Sequence, residues 1–231
     1  MLTAYGPRGW WPVPGSAGRS GFDAHGYHPG DFTQPHTPVG RFQVIMGAVL
    51  TQNTAWTNAD AALTRLLDAG IRLPADILAL GQSRLAGLIR SSGYFNQKAK
   101  KLNAIAALFL DPHALSPAGA PSREALLSGW GIGPETADSI LLYAFHKPVF
   151  VVDAYTRRVL SRIGLIHGPE RYEDIQSLFH DALERDPALY NEYHALIVEH
   201  AKIRCMTRPE CEACPVRPCR YRLRAPARDR A

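Results

Sequence analysis

From Arg41 onward, apolar residues recur at intervals of three and four, in segments separated by short turns that Gly or Pro punctuates, and this is the pattern of successive helices. "RFQVIMGAVLTQ" (41–52) is apolar nearly all round, as a buried helix is, and "NADAALTRLLDAG" (58–70) ends on a glycine suited to a helix C-terminus. "PADILALGQSRLAGLIRSSG" supplies two short helices, and "NQKAKKLNAIAALFL", "SREALLSGW" and "PETADSILLYAFH" supply three more. After Pro148 come "DAYTRRVLSRIGL", "RYEDIQSLFHDALE" and "PALYNEYHALIVEHAKIRC". Residues 6–40 carry neither the helical nor the strand period. They are rich in Gly, Pro, Ser and His and predict a long irregular arm with Trp10, Trp11, Phe22, Tyr27 and Phe32 as its apolar anchors. No strand pair, fixed-period repeat or heptad stands out, so the expected fold class is all-α.

Composition narrows the setting. The 231 residues are 46% hydrophobic, enough for a substantial core, which excludes disorder as the default. No stretch approaches the ~18 apolar residues needed to cross a bilayer. The start "MLTAYGPRGWWPVPG" lacks the charged and apolar regions of a signal peptide, so a cytoplasmic protein with no membrane partner is expected. A net charge of +5 and a pI near 9.1 favour a polyanionic partner without specifying it.

All four cysteines, Cys205, Cys211, Cys214 and Cys219, fall within fifteen residues with the spacing Cys-x5-Cys-x2-Cys-x4-Cys. A disulfide scaffold would spread them to staple distant loops, and a reducing compartment would not keep such bonds, so a metal centre is the better reading. Four clustered thiolates can wrap a [4Fe-4S] cluster or a tetrahedral zinc, although zinc more often takes two Cys-x2-Cys knuckles across a longer spacer. Arg204, Arg208, Arg217, Arg220, Arg222 and Arg224 interleave with the cysteines, as a DNA-facing platform or simply as a solvated face. The tail "LRAPARDRA" is expected to be disordered.

Within "LLSGWGIGPETADSILLYAF", Gly-Ile-Gly joins two helical patterns and Pro134 takes the natural first helical position, which predicts a helix, a tight hairpin and a second helix. The free N–H groups of such a turn favour an anion, a phosphodiester above all, while the plainer alternative is an ordinary helical corner. "VFVVDAYTRRVL" follows, with Asp153 placed where an apolar run meets the next helix. Asp153 is there a good N-cap, and a cap holds a carboxylate rigidly enough for catalysis as well.

Hairpin, apolar run, Val-Asp, helix and cysteine loop, in that order, resemble the endonuclease III branch of the helix-hairpin-helix DNA glycosylases over roughly residues 41–220. The resemblance implies a two-lobed fold. Residues 41–147 would form a helical-barrel lobe with the hairpin, and 1–40 plus 148–231 a second lobe with an iron-sulfur loop at 205–219. It also implies a [4Fe-4S] cofactor on the four cysteines, although the family's first and last spacers are typically each one residue longer. "GAVLTQNTAW" is similar to the helix and turn whose glutamine enters the hole left by a flipped nucleotide, which nominates Gln52. "IRSSGYFNQKAKKL" is similar to the loop that wedges into the opposite strand, which nominates Tyr94. Gly131, Ile132, Gly133 and Thr136 of the hairpin would meet the DNA backbone.

The same resemblance implies that Asp153 stabilises the cation-like sugar as the base departs and orients the attacking water. Bifunctional members carry a hairpin lysine that forms an imine with the sugar, and its place in "GIGPETA" is taken by Glu135, which cannot do so. Lys147 and Lys98 are the nearest lysines, with nothing in the sequence to place them in a pocket. A monofunctional glycosylase leaving an abasic site is therefore expected.

"GWWP", "LTQNTAW" and "SGYFNQKAK", with Glu135, look most similar to the 3-methyladenine-glycosylase members, whose aromatic side chains sandwich the flipped base. Trp11 and Trp56 take those positions, with simple anchoring of the arm as the plainer role. The Gly/His-rich insertion 15–40 is a departure from those members and could reshape the pocket. The expected partner is double-stranded DNA with a damaged base, bound by a monomer at the nucleoid. Excision of oxidised pyrimidines or mismatched bases, with or without lyase activity, and a non-catalytic binder of damaged DNA are the rivals.

Overall fold

A computed structural model describes residues 1–13 and 16–224, and every described regular element is helical, so the all-α expectation holds. Residues 225–231 of the tail lie outside the described residues, as does the Arg224 side chain. The helices are α1 (Leu2–Tyr5), α2 (Pro38–Leu50), α3 (Trp56–Asp68), α4 (Pro74–Ala79), α5 (Gln82–Leu88) and α6 (Phe95–Leu108). They continue as α7 (Arg123–Leu127), α8 (Pro134–Phe145), α9 (Ala154–Ile163), α10 (Tyr172–Ala182), α11 (Pro187–Ile203) and α12 (Arg220–Arg224). Single 3₁₀ turns lie at Arg90–Ser92 and Pro112–Leu115.

Side-chain caps mark several helix starts. Thr37 accepts the Gly40 N–H and Pro38 starts α2, while Ser122 caps α7 and Asp186 caps α11 ahead of Pro187. Gly164 closes α9 at φ +94°, a left-handed value that glycine adopts without a steric penalty. The sequence reading missed α1, α12 and both 3₁₀ turns. All four are too short for an amphipathic period to develop.

Helix α2 is buried from Gly40 to Leu50 and packs on α3, α6 and α8, so it forms the centre of the core. Helices α9 and α11 pack together, α12 lies on α9, and α11 touches α8. The carboxylate of Asp138 on α8 is fully buried. It accepts from Arg123 Nε at 2.7 Å and from Gln176 Nε2 at 2.8 Å, which ties α8 to α7 and α10.

The described residues of the arm before α2 are irregular, as expected, but the helix starts at Pro38 rather than Arg41 because Thr37 caps it and Pro38 suits its first turn, and the arm's polar groups have defined partners. Glu192 on α11 accepts the Arg8 and Gly9 N–H groups, and Asn191 donates to the Trp10 carbonyl at 2.5 Å. His28 is fully buried between the Trp11 carbonyl, 2.9 Å from Nε2, and the Asp31 carbonyl, 2.5 Å from Nδ1. The arm is thus sewn to α11 by side chains rather than by a core of its own.

Candidate active site

The apolar run Phe150–Val152 is buried, and it delivers Asp153 to the N-terminus of α9. A pocket of about 150 Å³ opens beside it. Its walls come from Thr54 to Trp56 at the start of α3, Glu135, Thr136 and Ser139 on α8, and Asp153 and Tyr155. Trp10, Trp11, Pro12 and Tyr27 of the arm close one side, and His194, Val198 and Lys202 of α11 another.

Asp153 caps α9, accepting the Thr156 N–H at 2.7 Å, and its other oxygen lies 3.6 Å from His194 Nε2. Burial is the largest influence on this carboxyl and pushes its pKa up. The neighbouring His194 and the Thr156 N–H outweigh burial, so Asp153 ionises below its ordinary value. The buried Tyr143 hydroxyl, whose pKa is raised by burial and by Asp153, meets His194 Nδ1 at 2.5 Å. A hydroxyl that keeps its proton donates to Nδ1, which leaves the Nε2 hydrogen facing Asp153. The result is a carboxylate, 16% exposed, held through one oxygen at the start of α9, while its other oxygen faces His194 without a hydrogen bond.

Glu135 follows Pro134 in the first turn of α8. Its side chain reaches solvent at the pocket mouth, yet burial, and after it the negative charge of Asp153, raises its pKa to about 7. Two carboxyls in one pocket with pKa values driven apart can hold different protonation states at neutral pH.

Trp11 and Trp56 both line this pocket. Their rings meet edge to face, with centroids 5.4 Å apart at 84°, and therefore leave no parallel slot between them in this conformation. Trp11 is buried and packs on Tyr143 and Gly47, so it anchors the arm as well. The insertion contributes Tyr27 to the pocket wall.

On the outer side, Gly131 turns the hairpin at φ +76°, where a Cβ would also lie 2.6 Å from Lys101 Cε. Gln52, half-buried, donates to Thr136 Oγ1 at 2.9 Å. Tyr94 stands 72% exposed at the start of α6. Ile132 and Thr136 are buried, so any DNA contact at these two positions falls to the backbone. Lys98 is buried and donates to the Leu50 and Ser92 carbonyls at 2.8 and 2.6 Å, and Lys147 is exposed beyond α8. Neither lines the pocket. The lysine that does is Lys202.

His194, Val198 and Lys202 escaped the sequence reading. Their only signal is a shared helix stripe at four-residue spacing, which any buried helix face has.

The four cysteines line one small cavity with Arg162 and His200. Burial raises the pKa of Cys211, and the nearby Cys214, Cys219 and Cys205 raise it further. Such crowded thiols fit a shared cationic centre, which is what would hold all four deprotonated. Among the described residues no three His, Cys, Asp or Glu side chains converge as ligands of one ion. Arg162 donates to the Cys205, Met206 and Thr207 carbonyls, Arg222 donates to Cys211 O and Arg204 pairs with Glu210. These arginines therefore brace the loop itself.

Residues 46–185 match the family described as HhH-GPD superfamily base excision DNA repair protein. A chain of Methanocaldococcus jannaschii, provisionally named DNA repair glycosylase MJ1434, is 36% identical over 94% of this chain and 90% of its own length. The H. pylori 3-methyladenine DNA glycosylase MagIII, solved with 1,N6-ethenoadenine, is 33% identical with a TM-score of 0.60, covering 70% of this chain and 84% of that one. An endonuclease III from a non-covalent DNA complex has the same fold, with a TM-score of 0.70 at 23% identity over 84% of this chain and 92% of that one. The hairpin, the capped aspartate and the pocket between them thus occur in a chain that belongs to the HhH-GPD superfamily of base excision DNA repair proteins.

Proposed function

We propose that this chain is a monofunctional DNA glycosylase that hydrolyses the N-glycosidic bond of an alkylated purine such as 3-methyladenine in duplex DNA. The carrying observation is an aromatic-walled pocket that holds an ionised Asp153 and has Glu135 where a lyase lysine would stand. In this reading Gln52 fills the gap left by the flipped nucleotide, Tyr94 wedges the opposite strand, and the Gly131 to Gly133 turn receives phosphate. The Asp153 carboxylate stabilises positive charge developing on the sugar and orients water for attack. An alkylated purine is cationic, so an indole face attracts it by about 0.5–2 kcal/mol as water leaves. Since Trp11 and Trp56 touch edge-on, the base lies against a ring face, or one ring turns to admit it. The relative solved with ethenoadenine supports a purine substrate.

Cys205, Cys211, Cys214 and Cys219 would hold a [4Fe-4S] cluster, which when bound supplies a positive, cross-linking centre for the loop. Four cysteines round one small cavity, with a single Cys-x2-Cys knuckle between two outlying cysteines, support a cluster over zinc.

Base release from duplexes carrying 3-methyladenine, thymine glycol or a mismatch tests the substrate, and release of the alkylated base is expected to lead. Borohydride should fail to trap the protein on abasic DNA. Trapping that disappears in Lys202→Arg would instead make Lys202 a lyase nucleophile and overturn the monofunctional reading.

Glu135 makes the reaction pH-sensitive. Ionised Glu135 adds negative charge to the pocket, so release of a cationic base should climb as pH rises through about 7, and Glu135→Gln should remove that climb. Because the folded pKa is raised, the stability that protonated Glu135 contributes is complete below its unfolded value and lost as pH rises through about 7. An unchanged limb in the variant would assign the profile to another group.

A further inference from the structure

Gln52 is held at both ends of its amide. Its Oε1 accepts from Lys101 Nζ, and its Nε2 donates to Thr136 Oγ1 at 2.9 Å and, at 3.4 Å, to the Gly131 carbonyl. Lys101 lies on α6, half-buried, with its aliphatic stem laid over Gly131 so closely that a Cβ there would clash. A half-buried ammonium is favoured when it keeps an acceptor, and the Gln52 oxygen is its only hydrogen-bond partner among the described residues.

We propose that Lys101 is a positioning residue that locks Gln52 to the hairpin before DNA arrives. The inference rests on the glycosylase reading and on Gln52 as the side chain that fills the vacated stack. With both amide ends occupied, Gln52 has one orientation. The rotamer freedom of a long side chain is lost when the protein folds rather than when the nucleotide flips. The lock also joins three elements, α6, the turn after α2 and the hairpin, so that the turn receiving phosphate and the side chain entering the helix move as one body. Nothing in the local sequence marks Lys101, which lies 49 residues from Gln52.

Lys101→Met tests this, since it keeps an apolar stem on Gly131 and removes the donor. In nitrogen-15 NMR of the free protein, the Gln52 side-chain amide, identified by its loss in Gln52→Ala, should shift in Lys101→Met and exchange its hydrogens about tenfold faster. Release of the base from paired duplex should fall about tenfold in Lys101→Met and in Gln52→Ala, with no further fall in the double variant. An unchanged Gln52 amide in Lys101→Met, or losses that multiply in the double variant, would overturn the lock. If the wild type releases no base at all, the glycosylase reading fails, and the amide signal still decides whether Lys101 holds Gln52.

Discussion

Asp153→Asn is expected to lower base release by about 10³-fold, with the melting temperature almost unchanged. Asparagine is as good an N-cap as aspartate, so the Thr156 N–H bond that starts α9 survives. On the proposed role, what disappears is the negative charge that would face the developing sugar cation, 3.6 Å from His194 Nε2. The folded pKa of Asp153 is depressed, so its contribution to stability is present above the unfolded value and is lost as pH falls through the folded one. Any small difference in melting temperature between wild type and variant should therefore shrink on acidification. The measurement is single-turnover base release beside thermal melts. If the variant kept more than about a tenth of the wild-type rate, Asp153 would be a cap and not the catalytic carboxylate.

Cys211→Ser is expected to abolish the broad visible absorption of a bound cluster and to cost more than about 3 kcal/mol of stability, on the scale of other structural metal centres. Cys211 is the one buried cysteine of the four. The loop from 205 to 219 has no helix of its own, and it is held to the rest of the protein by arginines of α9 that reach its carbonyls, Arg158 and Arg162 to Cys205 O among them. Without a shared centre nothing links the four thiols, and the loop's own hydrogen bonds, the Arg204–Glu210 pair and the contacts to α9 must hold the chain. Iron content, visible absorption and protease cutting within 205–219 form the readout. A colourless wild-type protein with stoichiometric zinc would refute the cluster. A variant as stable as the wild type would show that the loop needs no metal.

Much of the fold was legible because its signals are local. The apolar periods of α2, α6 and α8, Pro134 at a helix start, the glycines of the hairpin and Asp153 before α9 each act through neighbours a few residues away, and each is found where the pattern put it. The pocket was legible only in part. Trp11, Trp56, Glu135 and Asp153 stood within recognisable motifs, whereas Tyr27, His194 and Lys202 sit in segments with no such mark.

The amino-acid sequence by itself determined the helical class, the hairpin, the capped aspartate and a cysteine loop with metal-ligand spacing, because propensity, turn chemistry and spacing are properties of short stretches. Tertiary structure alone decided that His194 faces Asp153, that Lys101 holds Gln52 and that the two tryptophans meet edge-on. Those pairs are 41, 49 and 45 residues apart. Their meeting follows from how α2, α6, α8 and α11 close on a common core, and that packing is a collective outcome that no single stretch encodes.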